Sequence, residues 1–194
     1  MNLKKLVTAA VCTMLMAAVA FTAGCGGEKK SDKKVLKVGM ECAYAPYNWS
    51  QTKADGGAVK IAGSNEYAYG YDVMMAKKLA DSMGADLEIH KIEWDGLAPA
   101  VVSGKIDAAI AGMSITSKRK ETVDFTKPYY YATVVALVKK DSEQAKAQSV
   151  ADLKGSVATS QLNTIWYDQI DQVPDVKKLP AIDTVSYTHL RAHE

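Results

Sequence analysis

The chain has 194 residues, a length that suits one large domain or two small ones. Its apolar share of 48% and charged share of 24% are those of an ordinary globular protein, which excludes a disordered, collagen-like or multi-span membrane chain. Net charge is +2, and once Lys4 and Lys5 near the start are set aside, the other 22 of the 24 basic residues balance 22 acidic ones, leaving no basic excess of the kind that marks a nucleic-acid binder.

Met1 to Lys5 is short and basic, and Leu6 to Ala23 is apolar and uncharged. A basic start, an apolar run and small residues before a cut site describe a secretory signal peptide over residues 1–24. Thr22 to Cys25 (TAGC) resembles a lipobox, with Thr22 where that pattern has Leu or another aliphatic residue. The resemblance implies that Cys25 is acylated and becomes the first residue of the mature chain. A plain transmembrane anchor is the alternative, since the run is about as long as a bilayer is thick. Its Ala and Thr content and the polar tract after it favour cleavage. Residues 25–34 form a charged tether, with EKKSDKK at Glu28–Lys34 able to hold a domain clear of a membrane. With Cys12 removed and Cys25 acylated, Cys42 alone is left as a thiol, which excludes an internal disulfide.

Along the body, Val35–Met40 alternates apolar and polar residues and reads as a strand. Ala43–Trp49 is aromatic, contains Pro46 and reads as a loop. Lys53–Gly63 holds three glycines and predicts an exposed turn or hairpin. Asp72 opens a helix whose Val73, Ala76, Leu79, Ala80 and Met83 share a face, with Gly84 as its stop. Leu87–Ile92 is a second strand. Asp95 is the expected N-cap of a short helix over Leu97–Ser103. Ile106–Ala111 is a continuous apolar run around Asp107 and predicts a strand buried on both faces. Thr116 caps a helix carrying Lys118, Arg119 and Glu121. Strands alternating with helices in this way mean an α/β fold.

Four features converge on one chemistry. Glu41, Tyr44 and Trp94 lie just beyond the C-terminal ends of predicted strands, where ligands bind in open α/β sheets. AGMS at Ala111–Ser114 offers a close backbone at Gly112 and a hydroxyl at Ser114. Arg119 stands in the first turn of the next helix, and an Arg fork, a hydroxyl and free N–H groups together suit a carboxylate. Gln161–Thr164 (QLNT) repeats the strand-then-helix arrangement later in the chain. The three histidines, His90, His189 and His193, show no metal-ligand spacing, and no catalytic triad, phosphate loop or nucleophile elbow occurs, so no metal, cofactor or catalytic residue is implied.

The segments VLKVGMECAYAPYNW, YGYDVMMAKKLADSMG, EWDGLAPAVVSGKIDAAIAGMSITSKRKETVDFTKPYY and VADLKGSVATSQLNT occur in that order. They resemble the extracellular solute-binding proteins of polar amino-acid ABC importers, solute-binding family 3. The resemblance spans Val35 to about Thr184 and is most specific from Trp94 to Tyr130. It implies a periplasmic-binding-protein-like type II fold, in which two α/β lobes close about a hinge over one amino acid. It further implies that Tyr44 and Trp94 sandwich the ligand, that the Gly112 carbonyl accepts its ammonium, and that Ser114 binds its carboxylate or ammonium. Arg119 would clamp the carboxylate, and Gln161 with the N–H groups of Asn163 and Thr164 would contribute from the second lobe. Glu41 matches a position that touches the ligand side chain in some members. Asn163 stands where the pattern has Gly, and Asn tolerates positive φ best after Gly.

The implied division is lobe one over residues 35–139 and the start of lobe two over 140–185, with Val157–Ile170 its first strand and helix and the second lobe incomplete. Residues 186–194 (SYTHLRAHE) fit no element and resemble a tail appended to unrelated predicted gene fragments, so a foreign end on a truncated reading frame is expected. Tyr129 and Tyr130 are expected to pack near the hinge, Cys42 to be unreactive and Asp107 structural. The implied function is capture of a free amino acid, polar or charged, outside the membrane for an ABC permease of the inner membrane, with membrane attachment through the lipid anchor alone. Two alternatives share the fold: an enzyme similar to cyclohexadienyl dehydratases, and the sensor domain of a membrane receptor, against which the lipobox argues.

Overall fold

The computed structural model describes residues 33–183. The signal peptide, Cys25, all but the last two residues of the tether and the 186–194 segment lie outside the described residues. In chain order the regular elements are β1 (Val35–Met40), β2 (Ala43–Tyr44), β3 (Asn48–Gln51), β4 (Val59–Lys60), β5 (Tyr67–Tyr69), α1 (Tyr71–Met83), β6 (Asp86–Lys91), α2 (Leu97–Val102), β7 (Ala108–Ala109), α3 (Ser117–Lys120), β8 (Val157–Ala158), α4 (Ile165–Gln169) and β9 (Lys177–Lys178).

β1 is the middle strand of a parallel sheet ordered β6-β1-β7. Its apolar residues Leu36, Val38 and Met40 are buried and meet Val73, Ile89 and Leu97 in one core. β2, β3, β5 and β4 form a second, antiparallel sheet, and a bridge from Ile61 to Ile89 joins its end to β6. Ile61 is therefore fully buried, although the Lys53–Gly63 segment around it reads as an exposed turn. A parallel pair, β8 with β9, forms a third, small sheet.

Three expectations differ from the structure. Ala43–Trp49 is a hairpin, with β2 and β3 paired about Pro46, because Asn48 finds a ladder partner in Tyr44 and Trp49 finds two, in Ala43 and Tyr69. Ile106–Ala111 pairs only at Ala108–Ala109, and Ala108–Ile110 are half-buried. Among the described residues β7 is an outer strand with β1 as its one ladder neighbour. In α1, Val73, Ala76 and Ala80 face the core, whereas Leu79 on the flank of the stripe and Met83 in the last turn are 40% and 54% exposed. Between α3 and β8 the chain passes through Tyr131, Val135 and Leu137, all strongly exposed. Asp107 is structural, its carboxylate accepting from the Lys37 N–H at 2.8 Å.

α1 is fastened to the β2–β3 hairpin at its first turn. Tyr71 N–H donates to the Pro46 carbonyl at 3.2 Å and Asp72 N–H to the Tyr47 carbonyl at 2.8 Å. Gly70 makes this approach possible: its φ is +127°, and a Cβ there would overlap the Tyr47 carbonyl oxygen. Gly70→Ala therefore forces apart two backbones and imposes a disfavoured φ, and it should destabilise the fold by about 3 kcal/mol in urea titration. An unchanged midpoint would mean that the hairpin and helix can separate freely.

Candidate functional site

The site grows from the C-terminal ends of the parallel strands. β1 ends at Met40, so Glu41, Cys42 and the β2 residue Tyr44 follow directly. β6 leads into the Trp94–Gly96 turn, and β7 leads to Gly112 and Ser114. Thr116 caps α3 as expected, its hydroxyl accepting from the Arg119 N–H at 3.1 Å. This cap starts the Arg119 side chain from a fixed point. The later segment Gln161–Thr164 closes on these loops, with Thr164 capping α4.

Arg119 lies at the centre. Nη1 donates to the Ser114 carbonyl at 2.7 Å and Nη2 to the Asn163 carbonyl at 2.9 Å. Its guanidinium sits 5.3 Å from the centre of the Trp94 ring, within cation–π range. Trp94 Nε1 donates to the same Asn163 carbonyl at 3.2 Å. Asn163 has φ +55°, the left-handed geometry expected of it, and its Nδ2 donates to Asp95 at 2.9 Å. Asp95 is thus a partner of this turn, whereas Gly96 occupies the N-cap of α2. The misreading arose because an acid before a helix looks the same in sequence whether it caps or reaches across the fold.

Glu41 and Gln161 are both buried, and Gln161 Nε2 donates to Glu41 Oε1 at 2.9 Å. Burial pushes the Glu41 carboxyl above its ordinary range; the Gln161 bond opposes this, while the charges of Glu93 and Asp95 add to it. Tyr44 stacks near Tyr47, with centroids 4.9 Å apart, and lies 6.3 Å from the Trp166 ring. The Thr164 hydroxyl is committed locally, donating to the Gln161 carbonyl at 2.7 Å. Burial lowers the Arg119 pKa, with Asp168 opposing the shift. A cavity of about 320 Å³ lies alongside, lined by Glu93, Trp94, Asp95, Leu162 and Asp183; its size suits a small molecule.

The structure thus brings Glu41, Trp94, Ser114, Arg119, Gln161 and Asn163 into one linked cluster, with Tyr44, Gly112 and Thr164 at its edges. Sequence reasoning missed Asp95, Trp166, Asn48 and Asp72. Tyr129, expected only to pack, donates to Asp72 at 2.8 Å and accepts from the Gly112 N–H at 3.0 Å. Cys42 is buried and burial raises its thiol pKa to about 12, which leaves it inert as expected. Among the described residues no group of three His, Cys, Asp or Glu could hold a metal ion, and no helix is long and apolar enough to cross a membrane.

Residues 36–179 match the bacterial extracellular solute-binding proteins, family 3. The chain is 32% identical over 186 residues to ABC transporter arginine-binding protein 1 of Escherichia coli, covering 95% of this chain and 63% of that protein. It is 34% identical over 136 residues to the arginine-binding extracellular protein ArtP of Bacillus subtilis, covering 70% and 47% respectively. An ancestral amino acid-binding protein, a precursor of cyclohexadienyl dehydratase, superposes with a TM-score of 0.67 at 31% identity over 82% of this chain and 65% of that one. An ancestral arginine-binding protein bound to arginine superposes with a TM-score of 0.66 at 32% identity, covering 82% and 66%. The chain therefore spans under two thirds of the length of these two curated relatives. It belongs to the bacterial extracellular solute-binding proteins, family 3, and its fold is the α/β fold of type II periplasmic binding proteins.

The Glu41 shift has a measurable consequence. A carboxyl whose pKa is raised on folding contributes stability below its ordinary value of 4.5 and loses it as pH rises through the folded value. Glu41→Gln keeps an oxygen acceptor for Gln161 and removes the titration. In urea titrations of the ligand-free protein, the variant should gain on the wild type as pH rises from about 4.5 to neutrality. A difference that stays constant over that range would show that Glu41 is solvated.

Proposed function

We propose that this family member captures a free amino acid outside the cell and presents it to an ABC permease of the inner membrane, held to the membrane by acylated Cys25. The observation that carries the reading is the convergence of Arg119 and Trp94 on the Asn163 carbonyl of the Gln161–Thr164 turn, beside a cavity that Trp94 and Leu162 help to line. An α-carboxylate is the ligand group that the Arg119 fork suits. The fork holds two neutral carbonyls, and a carboxylate offers the same donors a charged, bidentate partner that binds them more strongly. Tyr44 and Trp94 would flank the ligand, the Gly112 carbonyl and Ser114 would take its ammonium, and Gln161 with the Asn163 and Thr164 N–H groups would close over it.

The side chain is polar or charged, and the site favours a positive charge. Glu93, Asp95 and Asp183 line the cavity, which accords with arginine-binding relatives in two bacteria. The binding reading outranks an enzyme similar to cyclohexadienyl dehydratase, since the matched structure named for that enzyme's ancestry is itself an amino acid-binding protein. We keep the division into lobe one over residues 35–139 and lobe two from residue 140 as part of this proposal.

Calorimetry on the full-length protein tests the reading. Arginine or lysine should bind more tightly than glutamate. Arg119→Ala should cost about 2–5 kcal/mol, or roughly 30- to several-thousand-fold in affinity, and Arg119→Lys should restore it only in part because a point charge loses the fork. A change below about threefold on Arg119→Ala would leave Arg119 a purely structural clamp on the Ser114 and Asn163 carbonyls.

The anchor is tested separately. Cys25→Ala should abolish incorporation of a labelled fatty acid and leave an uncleaved or soluble form; equal labelling of wild type and variant would remove lipid attachment from the proposal.

A further inference from the structure

Asp72 has no exposed surface and stands in the first turn of α1, outside the cluster around Arg119. Its Oδ2 accepts from Asn48 Nδ2 at 2.7 Å. Asn48 is equally buried, and its Oδ1 accepts from the Cys42 N–H at 2.8 Å. The other carboxylate oxygen, Oδ1, accepts from the Tyr129 hydroxyl at 2.8 Å, and that hydroxyl accepts from the Gly112 N–H at 3.0 Å. Two backbone N–H groups from two different loops thus reach one carboxylate, each through a single neutral side chain.

The direction of every bond in this chain is forced. The Cys42 N–H can only donate, so the Asn48 oxygen must face it, which turns the Asn48 amide group towards Asp72. The Gly112 N–H occupies the Tyr129 oxygen, and the Tyr129 hydrogen then points at Asp72. Only a group that accepts on both sides closes the two arms, and a carboxylate is that group. The loops so held are Glu41–Tyr44 and Gly112–Ser114. The first contains Cys42 at φ +55°, a conformation that a non-glycine residue keeps only where its surroundings enforce it. Tyr71 completes the support, its hydroxyl donating to the Tyr129 carbonyl at 3.1 Å.

We infer that Asp72 is a positioning residue for ligand capture: through Asn48 and Tyr129 its buried carboxylate sets the two loops of the parallel sheet that carry Glu41, Tyr44, Gly112 and Ser114 in the geometry in which they meet a ligand. The inference rests on the amino-acid-binding reading given above. It assigns Asp72, Asn48 and Tyr129 no contact with the ligand.

The test uses the full-length protein, with amide hydrogen exchange by NMR as a readout that needs no ligand and calorimetry with arginine as the second. Tyr129→Phe removes the hydroxyl alone. It should speed exchange at Gly112, leave Cys42 protected, and weaken arginine binding about threefold, the scale of one neutral hydrogen bond. Asp72→Asn presents a donor where an acceptor is required; it should speed exchange at whichever of the two amides loses its arm and weaken binding about tenfold. Tyr130→Phe removes a neighbouring hydroxyl outside the chain of bonds and should stay within twofold of wild type. Should Asp72→Asn fail to fold, Tyr129→Phe decides alone. Unchanged Gly112 exchange in Tyr129→Phe would overturn the inference, as would altered exchange with affinity equal to that of Tyr130→Phe. A wild-type protein that binds no amino acid would overturn the binding reading itself, and a wild type that binds while both variants match it would overturn the positioning role alone.

Discussion

Removing a carboxylate from water costs several kcal/mol unless the protein supplies donors in its place, and Asp72 is fully buried. Its donors come from β3 and from the segment after α3, so the first turn of α1 cannot form in its native place until both have arrived. The hairpin carbonyls of Pro46 and Tyr47, which receive the Tyr71 and Asp72 N–H groups, fix the same turn from a third direction. The antiparallel sheet, the helix and the end of β1 are therefore mutually located by polar contacts at one point. The apolar core of Val38, Met40, Val73 and Ile89 supplies the drive to collapse; the bonds around Asp72 select which collapsed arrangement is satisfied.

The cluster around Arg119 is built differently, because its guanidinium is held by two backbone carbonyls. The Asn163 carbonyl takes one bond from Arg119 and one from Trp94, and both donors come from the other side of the cleft. A carbonyl is a weaker acceptor for a guanidinium than a carboxylate. On the proposed reading the ligand carboxylate takes the place of such a carbonyl, whereas the Thr116 cap keeps the base of Arg119 where it is. Fixed stems with replaceable partners at their tips are what preorganised recognition needs.

How much of this was legible in the sequence follows from the range of each interaction. β1, α1, the Thr116 cap and the positive φ of Asn163 depend on neighbours a few residues away, and pattern reading located them. The Ala43–Trp49 hairpin depends on β5 as its partner strand, which Pro46 and the aromatic composition obscure. Ile106–Ala111 reads as a buried strand because all its residues but Asp107 are apolar; its half-buried state reflects a place at the edge of the described sheet. Asp72 reads as a helix opener, and nothing nearby in sequence signals that Asn48 and Tyr129, 24 and 57 residues away, converge on it. Arg119, Trp94 and Gln161 stood out through their positions after strands and through the family resemblance, but the meeting of Arg119 and Trp94 at the Asn163 carbonyl and the bond from Gln161 to Glu41 were not legible.

The charges of the cleft bear on what it selects. Glu93, Asp95 and Asp183 line the cavity beside Trp94, and burial pushes the carboxyl of Glu41 above its ordinary range. Arg119 is the one cation of the cluster. Its pKa is lowered by burial, yet a guanidinium remains charged over the physiological range. On the proposed reading, a ligand carboxylate meets Arg119, and the rest of the ligand faces the three carboxylates. An amino acid with a neutral side chain offers them one ammonium. An anionic side chain would add a like charge beside them, which is unfavourable. A cationic side chain offers a second positive centre to the same carboxylates, two of which, Glu93 and Asp95, add to the raised pKa of Glu41. The acidic rim would then contribute to selectivity through the charge it disfavours as well as the one it favours.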